Sequence, residues 1–271
     1  PYVFTNAIAP TNGTLPCVRY LLSMEEACNP DLRNSQLLCP IMKDAGYNVT
    51  YYSNQFVKSE TESIWDMAVN VIFDNPAINE ASFDHRNTQR YDKDGEFVDN
   101  FLKDIKTFEK PGGQNFTIVH LMGNHVAYAD RFPSNEAVFT ASEILRPELS
   151  TQQKQLVADY DNAILYNDKQ VARIVEYYAD KDAIIIYVSD HGDEANDFRL
   201  HTGRNQSFDG LPPASLHCQF DVPFIIFVTE KYRENHPEVI AEIEQSLDKP
   251  FMTDWVPYLI LQLGNVKSGW S

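Results

Sequence analysis

The chain has 271 residues, 43% of them hydrophobic, and a formal net charge of -17. That length and apolar content suffice for a large core, so one α/β domain over residues 1–271 is expected. The acidic balance, with no stretch that clusters lysine and arginine, argues against nucleic acid as a partner. No apolar run approaches the roughly 20 residues that cross a bilayer, and Pro1-Tyr2-Val3-Phe4 lacks the basic and apolar regions of a signal peptide.

Read in chain order, the loop Ala9-Pro10-Thr11-Asn12-Gly13-Thr14-Leu15-Pro16-Cys17 feeds a helix through Val18, Leu21, Leu22 and Met24. A threonine there is ordinarily a helix cap. It is also where the helix's positive end and a bound cation would stabilise an alkoxide nucleophile. Helical spacing over 32–45 stops at Gly46, and strands are expected at 47–52, 116–122, 183–188 and 223–228. Helices are expected over 95–109, over 151–179 as one piece or two, and over 255–263 before Gly264. The Gly/Pro/Ser/Asn-rich segment 197–218 reads as a long active-site loop. Alternation of strand and helix predicts a mostly parallel central sheet flanked by helices on both faces.

Most of the chemistry is concentrated at strand ends. Behind Ala183-Ile184-Ile185-Ile186, the run Tyr187-Val188-Ser189-Asp190-His191-Gly192 sets a carboxylate and an imidazole side by side. In open α/β sheets ligands bind beyond the strands' carboxyl ends, and Asp oxygen with neutral His nitrogen suits zinc. Gly192 would let the backbone turn so that both side chains reach one ion. A polar turn with a capping Asp is the plain alternative. His125 follows the strand at 116–122, and His201 lies on the loop after Asp190. Both are candidates for a substrate or second-metal site. His120 lies within a strand and reads as structural, and His85, His217 and His236 read as surface or packing residues. Cys17, Cys28, Cys39 and Cys218 form no C-x-x-C pair; three of them fall near the N-terminus, which tilts the reading towards an oxidising compartment.

These motifs together, Thr11 before Pro16-Cys17, His120-Leu121-Met122-Gly123-Asn124-His125, Ser189-Asp190-His191-Gly192 and Leu200-His201, resemble the catalytic domain of bacterial phosphoethanolamine transferases. These enzymes belong to the alkaline phosphatase and sulfatase superfamily. The segments 45–55 and 91–96 are similar to the branch that modifies lipopolysaccharide core sugars. The resemblance implies that Thr11 is the nucleophile and a zinc ligand, with Thr14 the runner-up. It implies that Asp190 and His191 are zinc ligands, and that His125 and His201 hold the phosphoethanolamine headgroup or a second zinc.

The donor implied is phosphatidylethanolamine and the acceptor lipopolysaccharide, lipid A or another glycan, with no nucleic acid involved. The implied setting is the periplasmic domain of an inner-membrane protein. The family's remaining ligand is an acidic residue upstream of the nucleophile, and neither Asp nor Glu precedes Thr11 here. The chain is therefore expected to be a fragment without its first strand and its membrane-contacting N-terminal region, binding Zn2+ weakly. The family's disulfide partner of Cys17 falls at Ala7, so that pairing cannot form. A related hydrolase or phosphoglycerol transferase, or an inactive interaction module, are the other readings. A sulfatase is disfavoured because Thr14-Leu15-Pro16-Cys17-Val18-Arg19 has threonine first and arginine one place late.

Overall fold

The computed structural model describes residues 1–31, 34–55 and 76–266. Along the chain the elements are β1 (Tyr2–Phe4), β2 (Ala7–Ile8), α1 (Thr14–Leu21), α2 (Leu38–Asp44), β3 (Asn48–Ser53), α3 (Pro76–Ser82), β4 (His85–Arg86), α4 (Asp94–Phe108), β5 (Asn115–His120) and α5 (Thr151–Tyr177). They continue with β6 (Ile184–Val188), β7 (Glu194–Ala195), β8 (Thr202–Gly203), α6 (Pro213–Phe220), β9 (Phe224–Val228), α7 (Glu230–Asn235), α8 (Pro237–Glu244), β10 (Phe251–Met252) and α9 (Val256–Leu263). Residues divide into two compact units, Pro1–Ile41 with Val175–Ser271, and Met42–Ile174.

In the first unit β9 lies between β1 and β6 and is antiparallel to both, in registers running from Tyr2↔Ile226 to Phe4↔Phe224 and from Ile184↔Val228 to Val188↔Phe224. The apolar run behind Asp190 reads in sequence as a strand of a parallel sheet. An unbroken β-branched run reports apolar surroundings on both faces and says nothing about its neighbour's direction. Phe224 and Ile226 of β9 are sealed, and Phe224 meets the edges of Phe4 and Phe251 at ring separations of 5.1 and 4.7 Å. Burying such a side chain is worth roughly 1.5–3 kcal/mol, so β9 is the anchor of this sheet. Cys17 of α1 and Val256 of α9 close the same core.

The second unit supplies parallel pairing: β3 lies between β4 and β5, with Asn48↔Asn115 to Ser53↔His120 in register and every β3 residue buried. Helix α4 lays Phe97 and Phe101 against the Tyr52 ring, whose hydroxyl donates to Asp104 at 2.8 Å. Acidic Asp94 and Glu96 stand in its first turn, where the helix dipole favours them. Gly46, which ends α2, takes φ +94°, the left-handed conformation that favours glycine after a helix.

Three expectations change in detail. The helix read at 32–45 begins at Leu38, with residues 32 and 33 outside those described; the stretch 151–179 is a single helix to Tyr177. The segment 197–218 is not all loop, because Glu194–Ala195 pairs with Thr202–Gly203 as a short hairpin and α6 begins at Pro213. Proline has its preferred place at a helix start, so the prolines there marked a helix as much as a turn.

Candidate active site

The chain leaves β6 through a turn that its own side chains fasten. Ser189 Oγ donates to the His191 carbonyl at 2.8 Å, Asp190 Oδ1 accepts from the His191 N–H at 3.0 Å, and the Gly192 N–H donates to the Gln219 carbonyl at 3.0 Å. A Cβ at Gly192 would stand 2.1 Å from the Cys218 carbonyl oxygen. Glycine is required by this close approach of two backbones, not by the sharp turn expected from sequence.

The His191 ring is set by the same turn. Its Nδ1 lies 2.8 Å from the Gly192 carbonyl, which can only accept, so Nδ1 carries the hydrogen and Nε2 presents its lone pair. That lone pair faces Thr14 Oγ1 at 3.1 Å and Arg204 Nη1 at 2.5 Å, and Asp190 Oδ2 lies 3.4 Å away. Asp190 Oδ2 is buried without a hydrogen-bond partner. A carboxylate oxygen and an imidazole lone pair turned towards each other are two acceptors, and a shared cation would satisfy both. Asp190, His191 and Thr14 thus form an oxygen, nitrogen, oxygen donor set of the kind that suits zinc. Among the described residues no three His, Cys, Asp or Glu side chains come together as a metal group.

Of the two threonines in the N-terminal loop, Thr14 reaches His191. Thr11 Oγ1 accepts from the Gly13 N–H at 3.2 Å and lies 3.3 Å from Cys17 Sγ, as a local turn-forming hydroxyl does. The Cys17 thiol donates to the Thr11 carbonyl at 3.2 Å, and burial pushes its pKa up. Thr14 is the first residue of α1, so its hydroxyl stands at the helix's positive end, where negative charge on oxygen is favoured. The Thr11-Pro16-Cys17 spacing hid this, because spacing along a loop does not tell which hydroxyl the turn brings inward.

His201 precedes β8, and its Nε2 is buried without a hydrogen-bond partner. His125 belongs to the second unit, where Nδ1 lies 3.0 Å from the Val126 carbonyl. Its loop is fixed from below: Asp94 accepts from the Met122 N–H at 3.0 Å, the Gly123 N–H at 2.7 Å and Asn54 Nδ2 at 2.9 Å. Burial raises the Asp94 pKa in spite of these three donors. His120 is held by Ser53 Oγ at 3.2 Å and Tyr51 Oη at 3.4 Å, in keeping with a structural role.

Sequence reasoning passed over the residues that brace the loop after Asp190. Glu194 is fully buried and binds the Arg199 guanidinium and Ser215 Oγ. Burial would raise its pKa, but the hydrogen bonds and charge of Arg199 outweigh this and hold it below the usual carboxylate range. Arg199 reaches on to Asn205 Oδ1 at 2.7 Å, and Gln219 Oε1 accepts from the Asn205 N–H at 2.8 Å and from Asn12 Nδ2 at 3.0 Å. One polar network therefore joins the loop before α1, through Asn12, to the hairpin that carries His201 and Arg204. Glu194, two positions past Gly192, was the one visible signal; nothing in the sequence marked the other members.

The Sulfatase family model matches residues 2–257, and the chain belongs to that family. Phosphoethanolamine transferase EptC of Escherichia coli K12 is 28% identical over 254 residues, 92% of this chain and 41% of EptC. Kdo(2)-lipid A phosphoethanolamine 7''-transferase of the same organism is 26% identical over 216 residues, 79% of this chain and 36% of that protein. The chain thus spans less than half the length of these relatives. Among solved structures, the C-terminal periplasmic domain of E. coli EptC in complex with Zn superposes with a TM-score of 0.79 at 23% identity, over all of this chain and 73% of that one. That likeness extends to the fold, a mixed α/β catalytic domain of the alkaline phosphatase and sulfatase type.

Proposed function

We propose that this chain is the catalytic domain of a periplasmic, membrane-associated phosphoethanolamine transferase that moves the group from phosphatidylethanolamine to a lipopolysaccharide acceptor by way of Thr14. The observation that carries the reading is the Thr14 hydroxyl against the His191 lone pair, beside a buried Asp190 oxygen that lacks a hydrogen bond. Transferase relatives and a zinc-containing structural neighbour support it.

Asp190, His191 and Thr14 would hold zinc, which supplies a positive charge that lowers the pKa of the threonine hydroxyl and offsets charge on the phosphoryl oxygens. Thr14 Oγ1 forms the new bond to phosphorus, and the bond from phosphorus to the diacylglycerol oxygen breaks; that oxygen leaves with a proton. A hydroxyl of the acceptor then attacks the threonine phosphodiester and frees Thr14. His191 is kept in one tautomer by the Gly192 carbonyl, so that its Nε2 lone pair and the Asp190 carboxylate stay available to the cation. Ser189 and Gln219 hold the turn so that neither side chain must reorganise during the reaction. His201, on the hairpin after Asp190, is assigned to the phosphoethanolamine headgroup. Thr14, in place of the leading Thr11, is the nucleophile in this reading, because the Thr11 hydroxyl is engaged by Gly13 and Cys17.

The test is diacylglycerol release from phosphatidylethanolamine by the protein carrying this domain, with Thr14→Ala and Thr11→Ala side by side. Loss on Thr14→Ala with activity kept on Thr11→Ala supports the reading, and the reverse restores Thr11.

A further inference from the structure

Arg204 stands in the centre of this site, and nothing in the transfer chemistry above uses it. Its Nη1 donates to His191 Nε2 at 2.5 Å, and its Nε pairs with Asp193 Oδ1 at 3.2 Å. A guanidinium only donates and stays charged, so it takes up the one lone pair His191 has to offer. A cation and Arg204 cannot both hold that lone pair. The same nitrogen lies 3.1 Å from Thr14 Oγ1, so the guanidinium and the proposed nucleophile meet at a single atom.

Its support is built to last. Asp193 is nearly buried, and Arg204 leaves the short hairpin whose base Glu194, Arg199, Asn205 and Gln219 lock together. A guanidinium freed from His191 therefore stays tethered at Nε by Asp193, with its two terminal nitrogens open. Two parallel N–H donors beside the oxygen that receives phosphorus match two phosphoryl oxygens.

Building on the transferase reading, we propose that Arg204 is the phosphoryl-binding residue of the site and that its hold on His191 competes directly with zinc. In the zinc-loaded domain the guanidinium turns, on its Asp193 tether, to the oxygens of the group carried by Thr14. It recognises the phosphoryl group and leaves the ethanolamine ammonium to other residues.

Two titrations of the folded chain test this, with Arg204→Ala and Arg204→Lys beside the parent. The first reads zinc affinity by competition with a chromophoric chelator. Arg204→Ala should bind zinc about tenfold more tightly, the scale of one hydrogen bond from a charged donor, with Arg204→Lys between. The second adds phosphoethanolamine or inorganic phosphate to each zinc-loaded protein. Both ligands should bind Arg204→Ala about tenfold or more weakly, and to the same degree, because the arginine reads only the oxygens they share. Zinc affinity unchanged or weaker in Arg204→Ala overturns the proposal, and so does undiminished binding of the two phosphate ligands or weakening of only one. Arg204→Lys keeps a charge, so it guards against a folding defect in Arg204→Ala. Absence of zinc from the protein bearing this domain, with the upstream acidic ligand in place, would instead refute the transferase reading itself.

Discussion

The turns after β6 and after β5 both present a histidine just beyond a strand, yet they are held in different ways. After β6 the turn is clamped by backbone: the Gly192 N–H meets the Gln219 carbonyl, and the Cys218 carbonyl occupies the space a Cβ would need. After β5 the turn hangs on one carboxylate, Asp94, which takes the N–H groups of Met122 and Gly123, the latter at φ +59°. The first arrangement fixes Asp190 and His191 relative to each other through the Ser189 hydroxyl, the Asp190 carboxylate and the Gly192 N–H. The second fixes the backbone leading to His125 while leaving the side chain only a neighbouring carbonyl. The first kind would suit the proposed role of aiming two ligands at one ion, because such a site depends on side chains held from outside it.

Each arrangement can be broken separately. The largest effect is expected inside the β6 site: Thr14→Ala should lower transfer by about 10⁴-fold or more, as loss of a covalent nucleophile does, whereas Thr11→Ala should stay within roughly tenfold of the parent; initial rates of diacylglycerol release measure both. Next comes Gly192→Ala. Its Cβ meets a backbone carbonyl that cannot swing aside, so a destabilisation of about 2–3 kcal/mol in urea unfolding is expected, with zinc binding lost in step. An unchanged midpoint would mean that the two backbones are further apart than described.

The β5 turn should give way more gently. Asp94→Ala leaves two part-buried N–H groups without their acceptor, a cost of about 1–3 kcal/mol, and hydrogen exchange should quicken at Met122 and Gly123. Burial raises the Asp94 pKa above its unfolded value, so Asp94 stabilises the fold most at low pH, and that contribution fades as pH rises through the folded value. Urea midpoints of the parent against Asp94→Ala across the acidic range should show the difference shrinking towards neutral pH; a difference that grows instead would assign the wrong sign to Asp94. The smallest effect is chemical: Cys17, buried with a raised pKa, should resist alkylation under conditions in which exposed Cys28 is modified, as peptide mass mapping would show.

The comparison also explains what could be read from the sequence. The strand leading to Asp190 and His191 was legible because an apolar run ending in Asp-His-Gly carries both its strand signal and its candidate chemistry in consecutive residues. The strand before His125 was legible for the same reason. The neighbour of β6 was not, since direction is decided by β9, some 40 positions further on, through Ile184↔Val228. Nor was the choice between Thr11 and Thr14, which depends on Gly13 and Cys17 turning one hydroxyl into the loop. Arg204 and, beyond Glu194, the network through Arg199, Asn205 and Gln219 were invisible because each partner is ordinary in its own stretch and acquires meaning only where the hairpin meets α6 and the loop before α1.

The central claim is that Thr14 carries the transferred group. The protein bearing this domain, loaded with zinc and mixed with phosphatidylethanolamine without an acceptor, should accumulate a phosphoethanolamine adduct. Fragmentation of the peptide that spans Thr11 and Thr14 then locates it by mass. An adduct on Thr14 is the result expected; an adduct on Thr11, or turnover with no adduct on either threonine, would contradict the account.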